Sequence, residues 1–471
     1  MENIKINIPR ILIAGISSGV GKTTISCALM LALQKKGLVV QPFKVGPDYI
    51  DPTYHTEITG RQSSNLDTYM LTKKVILAIF KNRANGADIC IIEGVMGLYD
   101  GLNNTEIGST AYLAKIIKTP VLLIINASCL SRSAGAIALG YKKFDRNVNI
   151  AGIILNNIGS QTHYENTKKS IEEKTQIPVC GFLLKEPSLT LKERHLGLIP
   201  TNETSMPKSL KNKMLNLMKN IDINKIIEIS KKTESLSLNI NQPYPFVQIK
   251  TNKKYSVKIA IAKDKAFNFY YIENIDMLKY FGAEIYYFSP IESENIPEFI
   301  DGLYIGGGFP ELFARELSKN IQLKSLLYKK IEKGMPLYAE CGGLMYLMEK
   351  IVDFEKKEFS MMGVFKGTVK MADKLNALGY VEIETIKNNI LSKKGEINKG
   401  HVFHWSYLDN LEKNISYAYK ISKSNGKHYH DGLIKYNVLA AYTHLHFATN
   451  IILAENFIKT CERYKTKKIY E

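Results

Sequence analysis

Ten residues near the amino terminus, Gly15 to Thr24 (GISSGVGKTT), constrain the fold of this chain more than any others. They stand between a continuous apolar run, IPRILIAGI, and an amphipathic stretch, TTISCALMLALQKK, that Gly37 closes. Strand, glycine-rich turn and helix in that order make a phosphate-binding loop: small residues let backbone N–H groups face phosphate oxygens, and the helix dipole favours their charge. Five residues separate Gly15 from Gly21 where four are usual, so the spacing is a variant. Gly15, Gly19 and Gly21 shape the loop and Thr24 completes GKTT. Lys22 is expected to reach the β- and γ-phosphates, and the Thr23 hydroxyl to ligate magnesium. ATP or GTP is the ligand this implies.

After the loop, LVVQPFKV, ADICIIEGV, PVLLIINAS and NIAGIILNN repeat the pattern of a short apolar run bounded by turns or helical segments. Such runs predict a parallel sheet buried on both faces, hence an α/β fold. Between about 203 and 255 the pattern degrades into a Lys/Ser/Asn-rich stretch with PYPF and KTNKK. A second alternation then runs through VKIAIAKD, AEIYYFS, GLYIGGG and PLYAECGGLMYLMEK. At 471 residues two domains are expected, each a mainly parallel sheet flanked by helices: 1–235, a linker over 236–255, and 256–460.

The apolar runs are too short to cross a bilayer, and MENIKINIPR leads straight into the first strand with no room for a cleavable leader, so a cytoplasmic location and no membrane partner are expected. Six cysteines form no CxxC pair, which argues against disulfides and structural zinc. The net charge of +18 comes from lysines spread along the chain rather than gathered in one arm, so no nucleic-acid partner is expected. A polycarboxylate substrate is one use for such a field.

Two acidic loops follow apolar strands, at the sheet end where α/β proteins bind ligands. KVGPDYIDP carries Asp48 and Asp51, and IIEGVMGLYDG carries Glu93 at a strand tip and Asp100 beyond it. Carboxylates there can hold magnesium beside Thr23, directly or through water.

In the second half, Cys341 lies between the strand PLYA with Glu340 and an amphipathic segment, GGLMYLMEK. A sharp strand-to-helix turn exposes such a side chain at a helix N-terminus, where the dipole is expected to lower a thiol pKa. The glycines around it, Gly342 after the cysteine and Gly306, Gly307 and Gly308 in GLYIGGGFPE, leave backbone N–H groups free to hold an oxyanion. A base is available in AAYTHLHFATN, where either His444 or His446 suffices geometrically. His401 and His404 in KGHVFHWSY read as structural or substrate-facing.

SSGVGKTT, KVGPDYIDPTYH, NLD, EGVMGLYDG, GSTAYLAK, RHLGL, YIGGGFPE, AECGGLMYL and YTHLHFA together resemble the cobyrinic acid a,c-diamide synthases. The first half is similar to the dethiobiotin synthetase-like phosphate-loop fold, the second to the class I glutamine amidotransferase fold. The resemblance implies that ATP phosphorylates two acetate side chains of cobyrinic acid and that ammonia from L-glutamine displaces each phosphate, with Mg2+ as cofactor. It implies that Cys341 attacks glutamine and His444 raises its nucleophilicity. It further implies that Thr23, Asp48 and Glu93 serve the metal, that Asp100 serves the acyl-phosphate chemistry, that Tyr49, Ile50 and Asp51 lie near the corrin carboxylates, and that Asn156 and the loop after Pro200 hold adenine. Ammonia is expected to travel inside the protein, because water competes for an acyl phosphate. Amidotransferases of this class often carry Glu two residues after the catalytic His; His446 stands there, so a Cys–His dyad is expected. A homodimer is expected by likeness. Two other readings are a nickel-sirohydrochlorin diamide synthase in coenzyme F430 synthesis and, in a different class, a nucleotide-switched partitioning protein, which typically has Lys where this chain has Ser17.

Overall fold

The computed structural model describes residues 2–185, 193–194, 197–201, 203–240 and 255–470. His195 and Leu196 of RHLGL, and residues 241–254 of the expected linker, lie outside them. The chain divides into two compact units, Met1–Gln248 and Ile249–Glu471.

In the first unit seven parallel strands form one sheet, in the order Ser64–Leu66, Val40–Val45, Ile89–Glu93, Arg10–Gly15, Val121–Asn126, Ile150–Ile158, Val179–Leu184. Every residue of Arg10–Gly15, Val40–Val45 and Ile89–Glu93 is buried, as unbroken apolar runs demand when helices cover both faces. The chain leaves the central strand for one side of the sheet and later returns to build the other. This creates a switch point at the carboxyl ends of Arg10–Gly15 and Ile89–Glu93, where such sheets open a crevice. Arg10 sits at the opposite end of the central strand; its buried guanidinium donates to the carbonyls of Ile8, Ile117, Lys118 and Glu234. A buried cation so satisfied is a structural clamp. Leu236–Ile240, read from composition as the start of a linker, pairs antiparallel with Glu2–Ile6.

The second unit holds a sheet of ten strands. Ala283–Phe288, Val257–Ala262, Gly302–Ile305, Leu337–Glu340 and Val438–Ala441 run parallel in that order. His428–Lys435, Ser416–Lys423, Ala377–Thr385, Ile397–His404 and His444–Leu445 continue it antiparallel. The antiparallel half was not expected: its strands follow one another without intervening helices, and an alternating half-exposed strand such as Ala377–Thr385 lacks the solid apolar run used to find the others. The helix Ile452–Tyr470 continues past residue 460. No helix among the described residues is long and apolar enough to cross a membrane.

Candidate active sites

The phosphate loop folds as its glycines allow. Gly21 adopts φ 93° at the N-cap of the helix Lys22–Lys35, a left-handed conformation that favours glycine. Asn156, near the end of its strand, donates from Nδ2 to the Val20 carbonyl at 2.9 Å. Its amide therefore clamps the loop. The Lys22 ammonium bridges the Ser17 carbonyl at 2.9 Å and the Met96 carbonyl at 2.6 Å. Met96 has φ 48°, and strain of this kind clusters at ligand sites. Burial lowers the Lys22 pKa, and the neighbouring Lys44 lowers it further.

Thr23, first turn of the helix, donates to Glu93 Oε1 at 2.7 Å and lies 3.3 Å from Asp51 Oδ2. Lys44 completes this cluster from the end of the strand Val40–Val45. Its Nζ is 2.5 Å from Asp51 Oδ2, 2.8 Å from Glu93 Oε1 and 3.6 Å from Asp48 Oδ2. His55 Nε2 meets the other Glu93 oxygen at 2.6 Å. Burial acts to raise the Glu93 carboxyl, but the Lys44 charge and the His55 hydrogen bond overcome it and hold the group well below the usual range. Burial acts to lower Lys44, yet Asp51, Glu93 and Asp48 lift it well above its ordinary value. Asp51, unlike Glu93, is pushed well up by burial and by Asp48.

The carboxylates differ in the groups they face. Asp51 and Glu93 face Thr23, while Asp48 Oδ1 accepts the N–H groups of Ile50 and Asp51 and so caps the helix Asp51–Thr59. Asp100 accepts from Gly97 N at 2.8 Å and closes its own loop. Ile50 is buried and Tyr49 partly exposed. Among the described residues no group of three or more His, Cys, Asp or Glu side chains is arranged to hold a metal ion. Magnesium in phosphate sites is bound by one or two carboxylates together with water and phosphate, and Thr23, Asp51 and Glu93 fit that oxygen set. Sequence reasoning missed Lys44 and His55 as site residues; their signal was position, a lysine at the end of a buried strand and a histidine one helical turn after Asp51.

In the second unit Cys341 has φ 47° and ψ −102° and caps the helix Gly342–Leu347. Its N–H donates to Ala441 O at 2.7 Å, tying the turn to the neighbouring strand. Close approach explains the glycines: a Cβ on Gly343 would lie 2.2 Å from Ile305 O, and one on Gly342 would lie 3.1 Å from Gly308 N. The YIGGG and ECGG segments thus meet, bringing Gly308 beside Gly342. A Cβ on Gly307 would lie 2.8 Å from His444 Cε1, so the imidazole reaches the same place. His444 is 1% exposed and pairs across strands with His401, their rings parallel within 7° at 4.8 Å.

Of the other histidines, His446 packs on Tyr271 and lies 3.7 Å from Glu273, and His404 stacks on Tyr442 while its Nδ1 contacts Ser406 O. The expected lowering of the Cys341 thiol does not hold. Burial pushes it well up, with Glu311 adding to the effect, and a six-residue helix offers too little to offset this. Burial also lowers His444 well below its ordinary value, helped by His401 and His404. The resting pair is neutral thiol and neutral imidazole.

A phosphate-loop nucleotide site and a glycine-framed cysteine elbow beside a histidine define the class. Residues 11–199 match the CobQ/CobB/MinD/ParA nucleotide binding domain, and residues 258–451 match the CobB/CobQ-like glutamine amidotransferase domain. The two together make a glutamine-dependent amidating ligase, and a nucleotide switch alone does not account for the second. Proteins named cobyrinate a,c-diamide synthase from Dehalococcoides mccartyi and Caldanaerobacter subterraneus subsp. tengcongensis are similar over almost the full length. The first is 45% identical, covering 97% of this chain and 99% of the relative, and the second 43% identical, covering 97% and 99%. The chain belongs to the cobyrinate a,c-diamide synthase family.

Proposed function

We propose that this protein amidates the a and c acetate carboxylates of cobyrinic acid in cobalamin synthesis, using ATP and L-glutamine. The observation that carries the reading is the occurrence, in one chain, of Thr23 facing Asp51 and Glu93 behind a phosphate loop, and of Cys341 on a glycine-framed turn with His444 at hand. In the first unit the loop from Gly15 to Thr24 takes the ATP phosphates, and Lys22 exchanges its two carbonyl partners for phosphate oxygens. Magnesium, when bound to Thr23, Asp51 and Glu93, supplies charge neutralisation for the transferred phosphoryl group. Lys44 balances the carboxylates and faces the incoming acid, while the segment Asp48 to Asp51 and the loop closed by Asp100 line the substrate side.

In the second unit the Cys341 sulfur attacks the glutamine amide carbon as its proton passes to His444. The N–H groups of Gly308 and Gly342 stabilise the oxyanion, the C–N bond breaks as the proton leaves on ammonia, and water then hydrolyses the glutamyl thioester to release glutamate and the free thiol. A buried, neutral thiol suits this order, because its charge develops only when the substrate carbonyl is there to receive it. Ammonia then displaces phosphate from each acyl phosphate.

The test is mass spectrometry of products after incubation with ATP, magnesium and glutamine, with cobyrinic acid or nickel-sirohydrochlorin offered separately. Doubly amidated cobyrinate is the expected product. Amidation of the nickel tetrapyrrole alone would preserve the mechanism and overturn the choice of substrate.

A further inference from the structure

The position two residues after His444, where related amidotransferases often carry the glutamate that orients the base, holds His446, and His446 is turned elsewhere. Its Nδ1 accepts from Ala448 N at 3.3 Å and its Nε2 lies 3.7 Å from Glu273 Oε2. A different carboxylate lies beside the base. Glu340 ends the strand Leu337–Glu340, is 1% exposed, and places Oε2 3.9 Å from His444 Nδ1. We propose that Glu340, the residue immediately before the nucleophile, is the positioning carboxylate of the glutaminase site and acts on Cys341 through His444. The inference rests on the reading of Cys341 and His444 as nucleophile and base.

Three donors aim this carboxylate. Tyr304 Oη donates to Oε2 at 2.8 Å, and Tyr338 Oη donates to Oε1 at 2.5 Å. The third is the backbone N–H of Leu445, 3.0 Å from Oε1, so Glu340 is tied to the residue next to His444. Asn274 grips the same segment from the other side, donating to Leu445 O at 2.8 Å and accepting from Phe447 N at 2.7 Å. The spacing between Glu340 and His444 is therefore held by backbone on both sides. His401, stacked parallel on His444, fixes the ring plane. A separation of 3.9 Å exceeds a hydrogen bond, but such contacts in substrate-free sites tighten when the reaction complex forms.

Glu340 sits where its charge stabilises the imidazolium that appears when His444 takes the thiol proton; the proton then leaves on ammonia and Glu340 keeps none. Burial, opposed by the tyrosine and amide donors, pushes the Glu340 carboxyl up to about 7. The titratable groups that face the pair are Tyr304 and Tyr338, hydrogen-bonded to Glu340, with Tyr270, Tyr419 and Cys341 within electrostatic reach of it, His401 stacked on His444 and His404 within electrostatic reach of that ring.

The experiment measures glutamine hydrolysis against pH in full-length Glu340→Gln, Glu340→Asp and Glu273→Gln proteins, with ammonia-dependent amidation as a control for folding. For Glu340→Gln kcat is expected to fall about 100-fold or more with KM nearly unchanged. The ascending limb of kcat near pH 7 should vanish in that variant, return in part in Glu340→Asp, and persist in Glu273→Gln. A wild-type kcat and pH profile in Glu340→Gln overturns the proposal, as does an equal loss in Glu273→Gln or a parallel loss of ammonia-dependent activity. Should Glu340→Gln fail to fold, Tyr304→Phe decides: losing a donor that lowers the carboxyl is expected to move the limb to higher pH, and an unmoved limb refutes the idea. Glutamine hydrolysis surviving in Cys341→Ala would instead refute the underlying reading.

Discussion

Replacing Lys44 by Met tests the electrostatic design of the phosphate site. The ammonium lies 2.5 Å from Asp51 and 2.8 Å from Glu93, and all three groups are largely shielded from solvent. At an effective dielectric constant of about 20 each contact is worth about 6 kcal/mol of Coulomb attraction, most of it offset by desolvation of the ions. Removing one partner of a buried pair leaves the other uncompensated, and the measured cost is about 3–5 kcal/mol. For a unit of this size that corresponds to a fall in Tm on the order of 10 °C.

The pH dependence follows from the shifts. Glu93 is held below its unfolded value, so its stabilisation is in force above about pH 4.3 and fades as pH falls through the folded pKa. Lys44, lifted above its unfolded value, contributes fully at all pH values below about 10.4. Asp51 acts in the opposite sense, since burial and Asp48 raise it, and it is the first to take a proton once Lys44 is gone. The deficit of Lys44→Met should thus be full at pH 7 and shrink toward pH 4, because the buried carboxylates that have lost Lys44 take up protons in the variant while Glu93 of the native protein stays ionised. Scanning calorimetry at pH 7, 5.5 and 4 measures this. An unchanged Tm at pH 7, or a deficit that grows on acidification, would refute the reasoning.

Cys341→Ala should abolish glutamine-dependent amidation and retain the ammonia-dependent reaction, since the phosphate site is built from other residues; product analysis with each nitrogen source checks it. Gly343→Ala would place a methyl group 2.2 Å from Ile305 O and must shift the turn carrying Cys341. Loss of glutamine hydrolysis with destabilisation of about 1–3 kcal/mol is expected, read by activity and denaturant unfolding. Asn156→Ala releases the Val20 carbonyl and loosens the phosphate loop, which should raise KM for ATP and leave glutamine hydrolysis alone.

The sequence made the parallel strands, the phosphate loop and the nucleophile turn legible because each is encoded locally: a buried strand is an apolar run, and a tight turn is a glycine cluster. What it hid depends on side-chain direction. KVGPDYIDPTYH holds Lys44, Asp48, Asp51 and His55 within twelve residues, yet only the fold shows that Asp48 caps a helix while Asp51 turns to Thr23. Likewise only the fold shows that the Asn156 amide reaches the Val20 carbonyl of the phosphate loop. The antiparallel half of the second sheet escaped notice because half-exposed strands mix polar and apolar residues. The thiol was misjudged for a quantitative reason: the dipole of one short helix was weighed without the burial that the surrounding strands impose.

The two units resolve opposite electrostatic problems with the same device, burial. Around Lys44 burial is combined with close charge pairing, so Glu93 stays ionised and the site keeps fixed charges for phosphate and metal. Around Cys341 and His444 burial is the largest influence, with Glu340 3.9 Å from the imidazole and outside hydrogen-bond distance, and both groups rest neutral. A permanently ionised thiolate there would be open to oxidation and to unproductive reaction. A neutral pair becomes a nucleophile only when one proton moves from sulfur to imidazole, and that transfer creates a cation where Glu340 can meet it. The Tyr304 and Tyr338 donors restrain the rise in the carboxyl pKa that burial alone would cause, and they stop it near 7. Glu340 is thereby ionised in part before the reaction and favoured in its charged form as His444 takes up the proton.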